Sequence, residues 1–552
     1  MASTDPQLAC SRASILTREF PTHSRWHGAL VFIAFFSLFL ATSSPRMLYF
    51  GDGGFILEIA GSILDRGIGP VPLADGGINK NKWGLGQVLL DLFIVELNRA
   101  GQSGPSDLRV FYTLGVAALP AAVSASAPLL IFLIAIQLGY QIKTAVLSAY
   151  AVGLGTITWV YSQTLFSEPA VAMGWLSAIL GLVSYARTQR KAWLSIAGIG
   201  AGFSVLAKST SVMMLPLAVL YTVVLLKQQF AISSFSDAVR SSRSILIALL
   251  ALIAPMLAAL GVSLWYNYAR YGNAFEAGYS VERDGSFGFN TPIIVGLFGL
   301  VLSTGKGFFF YSPTALLGIV NARFFRAHRK EAVLLWAMIA GTIAAHMKWW
   351  AWHGDWSWGP RFLVPLTPLF GLLSLGFLET IWNATSRWRH ALKLAMVSSV
   401  VLCAIAVQTL GLCFEPAMFL RLVSDDARVF AGGFYNESNW PIRDDGVAAH
   451  FIPEFSPLAG HAWMLRVANA HEAKPELLAE PPWATLNPRW VPRSIGSFNP
   501  EIQLWWAEAL RAMHPHRVAV RVLAWALLFI FVASTAWLVG KLVSERNDVP
   551  AH

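Results

Sequence analysis

The sequence predicts an all-α polytopic membrane protein, and three observations carry that prediction. Of 552 residues, 55% are hydrophobic and only 13% are charged, a balance too apolar for an ordinary soluble domain. Apolar runs of roughly 20 residues, the length that crosses the hydrocarbon core as a helix, recur along most of the chain. Lys and Arg return in short clusters between alternate runs, the pattern of short cytoplasmic loops.

About twelve spans satisfy the length criterion. They fall at 28–44, 110–138, 144–160, 169–186, 192–206, 211–226, 245–267, 291–320, 332–347, 362–382, 394–414 and 518–539. The run 291–320 is over-long and is interrupted by Ser303-Thr304-Gly305-Lys306-Gly307. Arg12, Arg18 and Arg25 precede the first span, and alternate connections hold Arg187/Arg190/Lys191, Lys227/Arg240/Arg243, Arg323/Arg326/Arg329/Lys330, Arg387/Arg389/Lys393 and Lys541. All of these fall on one side, which predicts cytoplasmic termini and places 45–109, 268–290, 348–361 and 415–517 outside.

The expected organisation is a cytoplasmic tail at 1–27, a transmembrane catalytic module at 28–414 with its first external loop at 45–109, and an external segment or small cap domain at 415–517. A last span at 518–540 and a cytoplasmic tail at 541–552 complete it. The basic leader with small residues Ala41–Ser44 also fits a cleaved signal sequence, which leaves the downstream sidedness unchanged. The formal charge of +10 is dispersed rather than gathered in one basic domain, so it argues for topology and against a nucleic-acid partner. Three cysteines, Cys10, Cys403 and Cys413, have neither metal-ligand nor disulfide spacing. Asn436-Glu437-Ser438 fits the glycosylation acceptor pattern.

Ionisable groups beside membrane spans are costly unless paired or hydrated, which makes each a functional candidate. In the first external loop Asp52 opens an amphipathic stretch with Phe55, Ile59 and Ile63, followed by Glu58 and Asp65. Its bland role is to cap a helix lying at the interface. Lys80 and Lys82 stand in Asn79-Lys80-Asn81-Lys82-Trp83-Gly84-Leu85-Gly86-Gln87, a setting that suits a phosphate as well as it suits lysines snorkelling beside Trp83. Glu168 begins the fourth span next to Pro169, where helix capping explains it alone. If Asp52, Glu58 and Glu168 share one pocket, they supply a base and ligands for a divalent cation.

Lys208 occupies a tight outer turn, and Lys306 the break in the eighth run. Snorkelling to the headgroups is the alternative for both. The densest feature is 346–361, with five tryptophans between Trp349 and Trp358 together with His353, Asp355 and Arg361. An aromatic belt accounts for some of these rings. Trp356 and Trp358 with His353 and Asp355 also suit a carbohydrate-binding wall, and Arg361 a phosphate clamp.

In order and sidedness, this layout resembles the C-type integral-membrane glycosyltransferases, which include protein O-mannosyltransferases and lipid A aminoarabinose transferases. The resemblance runs to about residue 361 and rests on Asp52 in Gly51-Asp52-Gly53-Gly54, the Lys80/Lys82 stretch, Glu168 in Ser167-Glu168-Pro169 and Lys208 after Leu206-Ala207. Segments 266–273, 303–313 and 356–362 are similar to those of bacterial family-39-like members.

It implies an inner-membrane enzyme with a periplasmic or extracellular site. Such an enzyme moves a monosaccharide from a polyprenyl-phosphate donor to a glycan, lipid or protein acceptor with inversion. In that scheme Asp52 is the base, Glu168 its catalytic partner, Lys80, Lys82, Lys208, Lys306 and Arg361 hold the donor phosphate, and Glu58, Trp83, His353, Asp355, Trp356 and Trp358 contact substrate. Many members carry paired acids in the first loop, whereas Gly53 follows Asp52 here, so metal use stays open. The alternative is a transporter or flippase of a lipid-linked sugar, which many spans and buried charges also suit.

Overall fold

The computed structural model describes residues 22–70, 82–104, 108–233, 235–279, 288–320, 322–354, 356–423, 447–470, 474–486, 495–496, 498–511 and 515–547. Among these residues there are helices and no strands. Eight helices have the length and apolarity to cross a membrane, and three shorter helices are apolar as well.

The helices that frame the bundle are α1 (Thr22–Ala41), α2 (Asp52–Arg66), α3 (Leu85–Ser103), α4 (Arg109–Gln137), α5 (Ile142–Gly155), α6 (Ser167–Thr188), α7 (Ala192–Ala207), α8 (Met214–Gln229) and α9 (Phe235–Tyr271). There follow α10 (Ile293–Leu302), α11 (Arg329–Met347), α12 (Thr367–Trp382), α13 (Arg387–Cys413), α14 (Val447–Phe451), α15 (Pro457–Asn469), α16 (Trp505–Arg511) and α17 (Arg517–Asn547). Every expected span overlaps one of these helices, but 291–320 is no continuous helix. Only α10 is regular there, and after Ser303 the chain turns through Gly307 into short helical pieces.

Small residues set how closely the helices pack. A backbone can approach its neighbour only where no side chain intervenes, which makes Gly, Ala and Ser the favoured contact residues in membrane bundles. Between α6 and α7, Gly174 faces the carbonyl of Gly200, and Gly181 faces Trp193 and Ala197. α7 packs in turn on α9, while α1 lies between α4 and the final helix α17.

The described part of the first loop is largely helical, as the amphipathic stretch after Asp52 predicts. α2 and α3 pack on each other through Ile56, Ile59, Ala60, Val88 and Val95. The start of α3 presses on the end of α7 so tightly that a Cβ at Gly84 would lie 2.2 Å from the carbonyl oxygen of Leu206. This contact brings the first loop against the Lys208 turn.

Helix ends sort the polar groups. Asp52 follows α1, Glu168 starts α6, Lys208 ends α7 and Arg361 precedes α12, so all four lie at one end of the bundle. Arg187, Lys227, Lys330 and Arg387 lie at the opposite ends of α6, α8, α11 and α12 or their continuations. Described residues from 414–423, 447–470, 474–486 and 495–496 contribute a second core around Phe414, Phe419, Phe455, Trp463 and Trp483, at the end that carries Asp52. Trp505 and Trp506 of α16 donate their indole N–H groups to the carbonyls of Leu40 and Ala41, each at 3.1 Å. Those carbonyls belong to the last turn of α1, where no intrahelical donor remains.

Candidate active site

Asp52 is the first residue of α2. Gly51 before it takes φ +55, a left-handed conformation that turns the chain sharply out of the preceding helical turn. The Asp52 carboxylate reaches Nη1 of Arg361 at 2.9 Å, with side-chain exposures of 22% and 4% respectively. Glu168, in the first turn of α6, accepts from Nζ of Lys208 at 2.5 Å, and its side chain is 2% exposed. Lys208 is held extended between α7 and the short helix that follows, which is what points its stem back towards α6.

The two ion pairs form one cluster. Phe362 joins them, its ring lying 4.5 Å from the Lys208 ammonium and 4.9 Å from the Arg361 guanidinium, with His346 stacked at 4.8 Å on the ring. Phe166, two residues before Glu168, faces the same guanidinium at 5.3 Å. Desolvating a charge is expensive, and these aromatic faces return part of that cost.

Burial pushes the Asp52 carboxyl up. The positive charges of Arg361, Lys82 and Lys208 together outweigh it and hold the carboxyl below the usual carboxylate range. The indole of Trp83 lies close by, stacked on Phe55 at 5.2 Å, with its N–H outside hydrogen-bond geometry. Burial pushes the Lys208 ammonium below the ordinary lysine value, an effect only partly offset by Glu168 and Asp52. Two carboxylate residues, Asp52 and Glu168, and three basic residues, Lys82, Lys208 and Arg361, thus meet at this end of the bundle.

Other expected residues lie elsewhere. Glu58 is exposed and does not join Asp52 and Glu168 in a common pocket. Lys306 is fully buried and donates to the Ser357 carbonyl at 2.7 Å. His353 is buried and stacks on His450 at 4.5 Å. Trp358 is buried among Tyr311 and His461, at ring distances of 5.1 and 4.6 Å, so it serves the core rather than a wall open to ligand. Trp356 stays 41% exposed, with the Arg421 guanidinium 5.4 Å from its ring. Lys80, Asp355 and Asn436-Glu437-Ser438 lie outside the described residues.

The described residues contain no group of three or more His, Cys, Asp or Glu arranged to hold a metal ion. Each of the two candidate carboxylates is already neutralised by a cation, so the donor set suits an ion-paired anion site better than a divalent cation. Sequence reasoning assigned no role to Phe166, Phe362 or Arg270. Arg270 lies with its guanidinium 3.8 Å from the Tyr266 ring and approaches the Trp83 carbonyl at 3.5 Å. The signal was present in two places, where an aromatic residue adjoins a candidate charge at Phe362 and in the Tyr266-Asn267-Tyr268-Ala269-Arg270-Tyr271 segment.

Residues 100–272 match the family model described as dolichyl-phosphate-mannose-protein mannosyltransferase. That span includes Glu168 and Lys208 and stops short of Asp52 and Arg361 on either side. The match supports the C-type glycosyltransferase resemblance drawn from the sequence. No curated protein matches the chain. Among solved structures, the Archaeoglobus fulgidus oligosaccharyltransferase, in complex with zinc and sulfate, aligns at 16% identity with a TM-score of 0.44. The alignment covers 72% of this chain and 55% of the archaeal chain, so this chain spans little more than half of that relative's length.

Proposed function

We propose, for a polytopic membrane chain that carries the dolichyl-phosphate-mannose-protein mannosyltransferase signature across residues 100–272, that it transfers a monosaccharide from a polyprenyl-phosphate donor to an acceptor hydroxyl on the non-cytoplasmic side. The observation that carries this reading is the buried pairing of Asp52 with Arg361 beside Glu168 with Lys208, all at one end of the bundle.

Nucleotide sugars are made in the cytoplasm, and a site on the far face therefore needs a sugar delivered on a lipid. The phosphate of such a donor is a monoanionic diester, an anion suited to the basic groups gathered beside Asp52 and Glu168. Arg361 offers the planar fork that recognises phosphate oxygens in pairs, while Lys82 and Lys208 act as point charges. When the donor phosphate takes up Arg361, Asp52 loses its partner and becomes the stronger base. It then accepts the proton of the acceptor hydroxyl as that oxygen attacks the anomeric carbon in line, with inversion. The bond from the anomeric carbon to the phosphate oxygen breaks, and the same cations stabilise the charge that develops on the departing phosphate. Glu168 holds Lys208 in place for that task and orients the acceptor. No step is assigned to a metal ion.

Incubating the purified chain with a polyprenyl-phosphate sugar and an acceptor hydroxyl tests this reading through the release of polyprenyl phosphate. Asp52→Asn is expected to reduce turnover by about 100-fold or more, the usual range for removing a general base. Wild-type turnover by a well-expressed Asp52→Asn protein removes Asp52 from that role. Passage of the lipid-linked sugar across vesicles without release of polyprenyl phosphate favours the transport alternative.

A further inference from the structure

Lys306 occupies the turn between α10 and the short helix Phe308–Tyr311, and none of its side chain reaches solvent. A buried ammonium is tolerated where its donors are taken up. Here Nζ donates to the Ser357 carbonyl at 2.7 Å and approaches Ser357 Oγ at 3.4 Å. Ser357 Oγ in turn donates to the Gly359 carbonyl at 3.3 Å, and the Tyr161 hydroxyl donates to the carbonyl of Trp358 at 3.0 Å. Two side chains thus grip consecutive carbonyls just before Arg361.

The gripped segment is curled tightly. Gly354 takes φ +70, and a Cβ there would lie 2.6 Å from Cγ of Arg361. The Arg361 side chain therefore lies across the turn, and the shape of the curl decides where its guanidinium points. The Lys306 turn is itself held on another side, where the Gly305 N–H donates to the His450 carbonyl at 3.0 Å. The lysine sits in a fixed mount rather than in a mobile connection.

We propose that Lys306 is a positioning residue that fixes the curl of residues 356–361 through Ser357 and thereby holds the Arg361 guanidinium against Asp52. This assignment replaces direct phosphate binding as the use of that lysine, and it rests on the roles given above to Asp52 and Arg361. A neutral side chain at 306 leaves the Ser357 carbonyl without its donor and lets the curl relax. Arg361 then swings off Asp52.

The test is the pH dependence of kcat/KM for the full chain in reconstituted membranes, with a polyprenyl-phosphate sugar as donor. That profile reports the ionisation of the free enzyme's base. Lys306→Met is expected to move the acid limb upward by about one pH unit, the lower end of what a contacting opposite charge imposes on a carboxylate. Combined with Arg361→Met, it is expected to add nothing beyond Arg361→Met alone. A raised donor KM with an unmoved acid limb overturns the proposal in favour of direct phosphate contact. Additive losses in the double variant, or fewer active molecules with an unchanged profile, overturn it as well.

Tyr161→Phe removes the second grip without changing volume. It is expected to move the limb in the same direction, and this variant decides the matter if Lys306→Met does not fold. An unmoved limb in well-folded Tyr161→Phe then sinks the idea. Wild-type turnover of Asp52→Asn has a different meaning, since it sinks the assignment of the base rather than that of Lys306.

Discussion

Charge pairing at single residues accounts for most of the site's behaviour. Glu168 is nearly inaccessible, and its partner is Lys208. Removing one member of a buried pair strands the other charge, at a cost of about 3–5 kcal/mol. Lys208→Met is therefore expected to lower the melting temperature in detergent, and Lys208→Met with Glu168→Gln to recover much of that loss. Equal destabilisation by the single and double variants refutes the pairing. Asp91 behaves differently. It is fully buried on α3, accepts from Gln87 at 2.9 Å, and burial pushes its carboxyl well above the usual value. A raised folded-state value means that the stability it contributes is complete at acid pH and is lost as pH climbs beyond the ordinary carboxylate range. Asp91→Asn is thus expected to be at least as stable as wild type at neutral pH and to flatten the decline above pH ~4, as read from melting temperature against pH. A steeper decline in Asp91→Asn contradicts the protonated state.

Those residue roles were only partly legible in the sequence. Asp52, Glu168, Lys208 and Arg361 stood out because a charge at a span end has few idle explanations. Nothing in the sequence said that they pair crosswise, since pairing depends on which helix ends meet. The burial of Trp358 and His353 was illegible for a related reason. A tryptophan-rich run looks the same whether its rings line a cavity or fill a core, and only the partners Tyr311, His461 and His450 distinguish the two.

Among the elements, the long helices were legible because a bilayer imposes one length and one polarity on every span. The run 291–320 was legible only as an oddity. Its overall apolarity suggests a span, but Gly305 and Gly307 allow a turn that periodicity does not reveal. That turn is where α14 docks, because a Cβ on Gly305 would fall 1.8 Å from the carbonyl of Ala449. Gly305→Ala is accordingly expected to lift α14 from the bundle and to expose the described residues of 447–456 to limited proteolysis. Cleavage patterns identical to wild type count against this docking.

For the molecule as a whole, the division of charge between the two bundle ends makes a claim about sidedness. In a chain cleared of Cys10, Cys403 and Cys413, Phe275→Cys is expected to react with an impermeant maleimide in intact cells, because position 275 is 87% exposed near the Asp52 end. Arg190→Cys, beyond the opposite end of α6, is expected to react only after permeabilisation. The reverse labelling pattern inverts the topology and removes the argument for a lipid-delivered sugar.

The indole bonds from Trp505 and Trp506 to Leu40 and Ala41 have a temporal consequence. The ribosome releases the first helix long before the residues that tie off its end, and Asp52 stands only eleven positions past Ala41. During synthesis, then, the end of α1 ahead of Asp52 gains these two bonds only after Lys82, Lys208 and Arg361 have been made. A nascent chain halted before α16 lacks the two indole bonds that close the end of α1.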